Sequence, residues 1–477
     1  MQNRISKGFD ILLCILQLCI SSYLVYSVRQ LIPSSYLMIV CAILILLMIL
    51  SFFLLIKKGS KTKNLIGKII SLIICIALIF GSATLFDSFK ALNNITDGNY
   101  QTHVVSVIVK SDSNFNELKN LAGKTIGAIN NDSTYVSQAK DEIKNTEQVE
   151  VNYEAIDTFD LLLEALNNDE VDAIILNEAY RGVMDELDVD FNDHTRTIYQ
   201  YEVKEEIEPT STGTNVAKDT FSVYISGIDT YGPVSTVSRS DVNMIVTVNP
   251  QTKQILLTSI PRDYYVPLAT SGMNDKLTHS GIYGINETVS TMENLLGINI
   301  DYYIRINFSS LIQVVDALGG VEVYSDRALT LSNFNIQEGM NHMNGEMALR
   351  YSRERYSYSE GDRHRVQNQQ EVITGIINKM LSPALLSNYS QILDSVGDAM
   401  EMSLTTTDIS RLIQMQLNDN ASWQIMRYSL DGSGSMSTTC YSMPGYNLYV
   451  MIPYEETVSQ ASSYIKDMEN GNKITVN

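Results

Sequence analysis

Apolar residues fill three long stretches near the start of the chain, roughly Phe9–Val28, Ser34–Ile56 and Leu65–Phe86. Each approaches the ~20 residues that a membrane-spanning helix needs. A cleaved leader would be single and shorter, with a small-residue cleavage site, so the three runs read as a membrane anchor. Polar residues inside them are few, and no transport pathway is expected. Lys57, Lys58, Lys61 and Lys63 lie between the second and third runs, with Lys68 just inside the third. Arg4 and Lys7 precede the first run, and only Arg29 occupies the turn after it. Lys and Arg are retained on the cytoplasmic side. The expectation is a multi-pass protein of the cell membrane, its N-terminus cytoplasmic and everything after Phe86 extracellular.

Beyond the anchor, short apolar runs alternate with helical periodicity. HVVSVIVK, TIGAI after the glycine turn of NLAGK, QVEVNYEAI and VDAIILN read as strands. Helices are expected over Asp132–Lys144 with Asp132 as N-cap, over Thr158–Asn167 and over Glu178–Leu187. This predicts a small α/β accessory domain. It has a distant likeness to half of a solute-binding protein, but no arginine stands ready for a ligand carboxylate. A spacer or interaction domain is the plainer reading, with no catalytic residue. The Pro/Thr/Gly-rich stretch Glu205–Lys218 marks a boundary.

The next runs, Phe221–Ile228, Asn243–Val248 and Gln254–Ile260, are almost continuous Val, Ile and Leu, as suits strands buried on both faces. Charge appears only at their ends. DYYIRIN and VEVYS read as further strands, and Asn286–Leu296 and Phe308–Leu318 as helices closed by Gly297 and by Gly319-Gly320. Arg353 and Arg355 are expected on one side of an extended segment. Asp362 is expected to cap a helix that carries Asp362, Arg365 and Gln369 along one face and buries Val366, Ile373, Ile377 and Met380. The chain therefore divides into an anchor (1–95), an accessory domain (96–215) and a second external domain (216–477) ending in helices.

Charge sharpens this division. The net charge is −20, yet residues 1–95 hold nine Lys/Arg against two acids, leaving 25 against 52 in the other 382 residues. So acidic an exterior argues against nucleic acid as a partner. Four of the five cysteines (Cys14, Cys19, Cys41, Cys75) lie in the apolar runs and only Cys440 lies outside them. No disulfide framework and no zinc site are expected.

Ligand sites in open α/β sheets lie just beyond strand ends. Asp229, Arg239, Asp241, Arg262 and Asp263 are therefore expected around one crevice. Two carboxylates beside arginines can hold a divalent cation and a phosphate together. Residues 350–365 add five arginines, Arg350, Arg353, Arg355, Arg363 and Arg365, which read as an anion site in an acidic exterior. Taken singly, each charge is most simply a solvated loop residue; the argument rests on the set. His279 and His364 are candidate proton carriers, although a lone histidine is more often structural. An external domain has little access to ATP or NAD, so phosphoryl chemistry there calls for a substrate already activated, such as a lipid-linked pyrophosphate.

GIDTYG, SRSDVNMIVTVNP, ILLTSIPRD, VVDALGGVEV and RYSRER…GDRHRVQNQQ, in that order between Phe221 and Leu381, together resemble the LytR-CpsA-Psr family. The three spans and extra α/β domain are similar to its capsule-locus, CpsA-type branch of Gram-positive bacteria. The resemblance implies an α/β/α sandwich with a central mixed sheet and an apolar pocket for a polyprenyl phosphate tail. It implies a membrane-anchored, Mg²⁺-assisted phosphotransferase that moves capsular polysaccharide, or a related wall glycopolymer, from polyprenyl pyrophosphate to peptidoglycan. Carried over by position, Asp229 and Asp241 are implied as metal-associated. Arg239, Arg262, Arg353, Arg355, Arg365 and Gln369 are implied as pyrophosphate-binding, and Arg262 and Asp241 as catalytic. Asn368 departs from the pattern, standing where members often have a basic residue. Asp263 is the candidate base, since a carboxylate among arginines stays ionised. The implied partners are the lipid-linked polysaccharide, peptidoglycan, the bilayer and other capsule-assembly membrane proteins. Three other readings stand beside it: a polyprenyl pyrophosphate phosphatase that uses the same site with water as acceptor, a sensor or regulator of capsule biosynthesis whose solute-binding-like domain binds a wall fragment and signals through the spans, and a non-catalytic scaffold for capsule assembly.

Overall fold

A computed structural model describes residues 2–29, 34–56, 61–96, 100–130, 133–207, 213–228, 234–359, 361–382, 396 and 400–476. Lys57, Lys58, Asp132 and Asp229 lie outside the described residues, and so do the expectations placed on them.

Helices α1 (Gln2–Val28), α2 (Ser34–Leu55) and α3 (Lys61–Thr96) form the anchor. They contain three stretches long and apolar enough to cross a membrane, Lys7–Val28, Tyr36–Leu55 and Thr62–Ala83. Large apolar side chains such as Leu46 and Phe80 are exposed, as lipid-facing positions require. Asp10 is instead buried between helices, paired with Lys68 at 3.3 Å and accepting from Asn64. That is the usual arrangement for an ionisable group in such a bundle.

The accessory domain consists of β1 (Tyr100–Lys110), β2 (Thr125–Ile129), α4 (Thr134–Asn145), β3 (Asn152–Ile156), α5 (Phe159–Asn167), β4 (Ala173–Asn177), α6 (Arg181–Leu187), α7 (Phe191–His194) and β5 (Thr195–Glu206). The sheet order is β3-β2-β4-β1-β5. β2 runs parallel to β3 and β4, and β1 antiparallel to β4 and β5. Strand β5 was not expected from the sequence. It is an edge strand, TRTIYQYEVKEE, whose residues are mostly half-buried or exposed, so it lacks the continuous apolar run that marks β1 and β4.

The second domain begins with β6 (Phe221–Ile228), β7 (Ser240–Asn249), β8 (Gln254–Ile260), β9 (Tyr265–Pro267), β10 (Asn274–Lys276), α8 (Leu277–Ser280), α9 (Ile285–Leu296), β11 (Tyr302–Ile306) and α10 (Phe308–Ala317). Short strands β12 (Val321–Ser325), β13 (Leu329–Leu331), β14 (Phe334–Ile336) and β15 (Gly339–Met343) lead to α11 (Gly345–Arg353) and α12 (Asp362–Met380). It closes with β16 (Met400–Met402), α13 (Thr406–Asp419), β17 (Gln424–Ser429), β18 (Gly432–Ser437), β19 (Leu448–Pro453) and α14 (Glu455–Glu469).

Six strands form one mixed sheet, β16-β11-β6-β7-β8-β17. β7 is antiparallel to β6 and β8, while β11 and β17 run parallel to β6 and β8. Alternation along β6 supplies both faces. Val223 and Ile225 pack with Val315, Ala348, Val372 and Ile376 of α10–α12, whereas Tyr224 packs with Val289, Met292 and Ile465 of α9 and α14. The result is an α/β/α sandwich. Its strand directions bring the ends of β6, β8, β11 and β17 and the start of β7 to a single edge.

Three local expectations change in the folded chain. The segment leading to Arg353 is helical, because Asn344 accepts from the Met347 N–H as N-cap. Asp362 is the first helical residue rather than the cap, which is Gly361. The buried stripe of α12 runs through Val372, Gly375 and Ile376 while Met380 is exposed. Gly375 sets that rotation, since a Cβ there would meet the Glu322 carbonyl at 2.7 Å.

Candidate anion site at the sheet edge

The start of β7 is held in place from behind. The Tyr224 hydroxyl bonds both Ser240 and Asn243 at 2.7 Å, and Ser226 meets Ser240 at 2.8 Å. Asp241 follows, and its Oδ1 accepts from Arg262 Nη1 at 3.0 Å and Thr278 Oγ1 at 3.1 Å. Arg262 sits where Pro261 ends β8, and its carbonyl accepts from the Thr278 N–H at 2.8 Å. The β10–α8 segment thus clips the two strand ends together. Asp263 Oδ1 accepts from Lys276 Nζ at 2.8 Å, and its Oδ2 lies 3.8 Å from Arg262 Nε. Arg365, in the first turn of α12, pairs with Asp362 at 2.7 Å.

The charges act on one another. Burial by itself would raise the Asp241 carboxyl, but Arg262, Arg239 and Arg365 outweigh it and hold the group at about 2. Burial would lower the Arg262 guanidinium, and Asp241, Asp263 and Asp362 drive it upward instead. Arg365 is lowered, chiefly by burial and also by the nearby Arg262 and Arg355. Arg262 Nε and Arg365 Nε are both buried without a hydrogen-bond partner. Unmade charged donors of this kind are costly, and an anion with several oxygens satisfies them.

Arg239, Asp241, Arg262, Asp263 and Arg365 therefore come together, with Arg355 within electrostatic reach of Arg365. Arg353 instead stacks on Phe308, 4.0 Å from the ring centre. Gln369 is half-buried on α12, and its neighbour Gln370 bonds Ser259, Tyr428 and Ser429. Arg350 pairs with Glu346, and Arg363 with Asp431, so the dense arginine run divides among several partners. His279 is fully buried against Asp275 at 2.7 Å, and His364 stacks on Tyr358.

Among the described residues no group of three or more His, Cys, Asp or Glu is placed to hold a metal. Asp241 still suits a hard cation. It is ionised, and the hydrogen bonds it accepts from Arg262 and Thr278 both fall on Oδ1. Mg²⁺ commonly takes only one or two carboxylates together with substrate phosphate.

Sequence reading missed three participants. Lys276 and Thr278 lie in NDKLTHS, where nothing in the local pattern sets them apart. Glu186, on α6 of the accessory domain, accepts from Arg239 at 2.5 Å and lies 3.7 Å from Lys276.

The LytR_cpsA_psr family model matches residues 188–452. A model of DNA polymerase processivity factor matches residues 57–176, a stretch that takes in α3 and the accessory domain from β1 into β4. An Enterococcus faecalis polyisoprenyl-teichoic acid–peptidoglycan teichoic acid transferase, TagU, is 39% identical over 198 residues, which is 41% of this chain and 65% of the relative. The match thus spans just under two thirds of that protein. The Halalkalibacterium halodurans TagU is 32% identical over 243 residues, 50% of this chain and 76% of its own. The crystal structure of Bacillus subtilis TagU covers 55% of this chain and all of its own, at 30% identity and a TM-score of 0.43. With more than half of its length matched by the family model, the chain belongs to the LytR_cpsA_psr family.

Proposed function

We propose that this chain is a membrane-anchored phosphotransferase that moves a glycopolymer from a polyprenyl pyrophosphate to peptidoglycan outside the cell, with capsular polysaccharide as its cargo. The observation that carries the reading is the pair of buried guanidinium nitrogens without a hydrogen-bond partner, Arg262 Nε and Arg365 Nε, beside an ionised Asp241. The names of the Enterococcus and Halalkalibacterium relatives, with polyisoprenyl-linked donor and peptidoglycan acceptor, support the substrate classes. Capsule, rather than teichoic acid, rests on the accessory domain and three-helix anchor.

In this reading an acceptor hydroxyl attacks the phosphorus next to the glycan. The new O–P bond forms as the bond to the bridging oxygen breaks, and lipid monophosphate leaves. Arg262 and Arg365 meet the charge growing on the leaving phosphate, the kind of preorganised stabilisation that lowers such barriers most. Mg²⁺ held by Asp229 and Asp241 would neutralise further pyrophosphate charge. Asp263 takes the acceptor proton only by giving up part of its pairing with Lys276. Half-buried apolar side chains, Ile304 on β11 and Phe308, Met347 and Ile377 on the α10–α12 layer above it, offer the contact a polyprenyl tail needs. The charge pattern of the anchor supports a cytoplasmic N-terminus.

The test uses the full chain with a lipid-pyrophosphate-linked oligosaccharide and peptidoglycan fragments, with Mg²⁺ or with EDTA. Sugar should appear on peptidoglycan, and Arg262→Ala and Asp241→Ala should each abolish it. Lipid phosphate released with no sugar on the acceptor would make the enzyme a phosphatase. Lipid binding without turnover would return it to a scaffold or sensor. Undiminished transfer in EDTA would remove the metal.

A further inference from the structure

The accessory domain does not stand apart from the site. Its strand β1 docks on the loop that leads to Arg239: Thr102 N–H donates to the Ser235 carbonyl at 2.8 Å, and Val237 N–H donates to the Thr102 carbonyl at 2.9 Å. Beside this junction Ala179 and Val183 pack with Val237, Ile282 and Met443 in a small shared core. Helix α6 then reaches the side of the anion site formed by Arg239 and Lys276. Gly182 gives the Arg239 guanidinium room, since a Cβ there would collide with it. One turn on, Glu186 is bonded by Arg239 and faces Lys276.

Those two cations belong to the same charge cluster as Asp241 and Asp263. Lys276 is 8% exposed and Glu186 30%. The cations are fixed in the wall, whereas the carboxylate has a route to solvent. A carboxylate shared by an arginine and a lysine occupies the place a phosphate would take, with similar donor geometry. We propose that Glu186 is a resident carboxylate of the site, which the phosphate of an incoming donor displaces from Arg239 and Lys276, so that the accessory domain sets how tightly the site takes an anion. This rests on the phosphate-binding reading above. The helix that carries Glu186 comes from the domain in which sequence reading expected no active-site residue.

The experiment measures inorganic pyrophosphate binding by calorimetry on the full chain in lipid nanodiscs, for wild type, Glu186→Gln, Glu186→Ala and Arg262→Ala, with a melting curve for each. Glu186 is partly exposed, and the two Glu186 variants should melt within a few degrees of the wild type. Both should bind pyrophosphate about 5-fold more tightly, the scale of one part-exposed ion pair removed from competition. Unchanged or weaker binding in both variants overturns the proposal and makes Glu186 a docking or positioning group. A shared fall in melting temperature with unchanged affinity does the same. Absence of binding in wild type, or its survival in Arg262→Ala, fails the phosphate reading itself, and the proposal falls with it. Tighter binding in the Glu186 variants beside loss in Arg262→Ala supports both.

Discussion

Replacing Arg262 by lysine separates the charge at the sheet edge from its geometry. Arg262 Nη1 is committed to Asp241 Oδ1 at 3.0 Å, while Nε is buried without a hydrogen-bond partner and 3.8 Å from Asp263 Oδ2. A lysine keeps the charge and can still reach Asp241, but its single nitrogen cannot hold that carboxylate and present a planar second donor to a phosphate. The substitution should therefore remove one or two charge-assisted hydrogen bonds to the ligand. At ~1.5–3 kcal/mol each, the loss is about 1.5–6 kcal/mol, which is at least roughly 10-fold in turnover. Stability should change little, because Asp241 remains paired. The assay is transfer of labelled oligosaccharide from its lipid pyrophosphate, with melting in the same detergent as control. Turnover retained within about 3-fold would refute the reasoning, since the Nε would then donate to no ligand. A loss of turnover that merely followed a lower melting temperature would refute it equally.

The remaining predictions address the frame of the site. Asp241 lies at about 2 in the folded chain against an ordinary 3.8, so folding favours its ionised form. Its contribution of about 2–3 kcal/mol should be complete above about pH 4 and lost as pH falls to about 2. Melting of wild type and Asp241→Asn should therefore differ at pH 6 and converge at pH 2, and an equal gap at both would refute this. In Gly281→Ala, the added Cβ would sit 2.5 Å from the Ser238 carbonyl and 2.8 Å from the Ser240 nitrogen. Being forced against backbone at the start of β7, it should cost ~1–3 kcal/mol and reduce transfer, read by melting and turnover together. Asp275→Asn leaves the buried His279 without its carboxylate and weakens the contacts to Ser442. A loss on the order of 3 kcal/mol should appear in denaturant melts.

Much of this architecture is written locally. Strands β6, β7 and β8 are legible because both faces of a central strand are covered, so nearly every position must be apolar. The anchor helices are legible because a bilayer demands ~20 apolar residues in a row. Breaks in such runs carry information too: Asp241, Arg262 and Asp263 appear where the apolar pattern stops, and the strand directions put those breaks on one edge. The edge strand β5 escaped because only one side of it is covered and its composition follows no single rule.

What the chain could not disclose locally is which charges meet. The five arginines between residues 350 and 365 look equivalent in sequence, yet α11 turns Arg353 onto Phe308, Arg350 closes on Glu346 one helical turn away, Arg363 reaches Asp431, and Arg365 reaches the field of Asp241. Those outcomes follow from helix phase and packing, to which a charge pattern is blind. Lys276 and Glu186 gain their roles by approach across 90 residues and two domains. The sequence by itself determined the anchor, the buried strands and the edge at which charged residues gather, because burial and bilayer thickness act on every residue of a run. The tertiary structure alone decided the membership of the site, because an ion pair depends on distance in space, and a carboxylate on a neighbouring domain leaves no periodic trace.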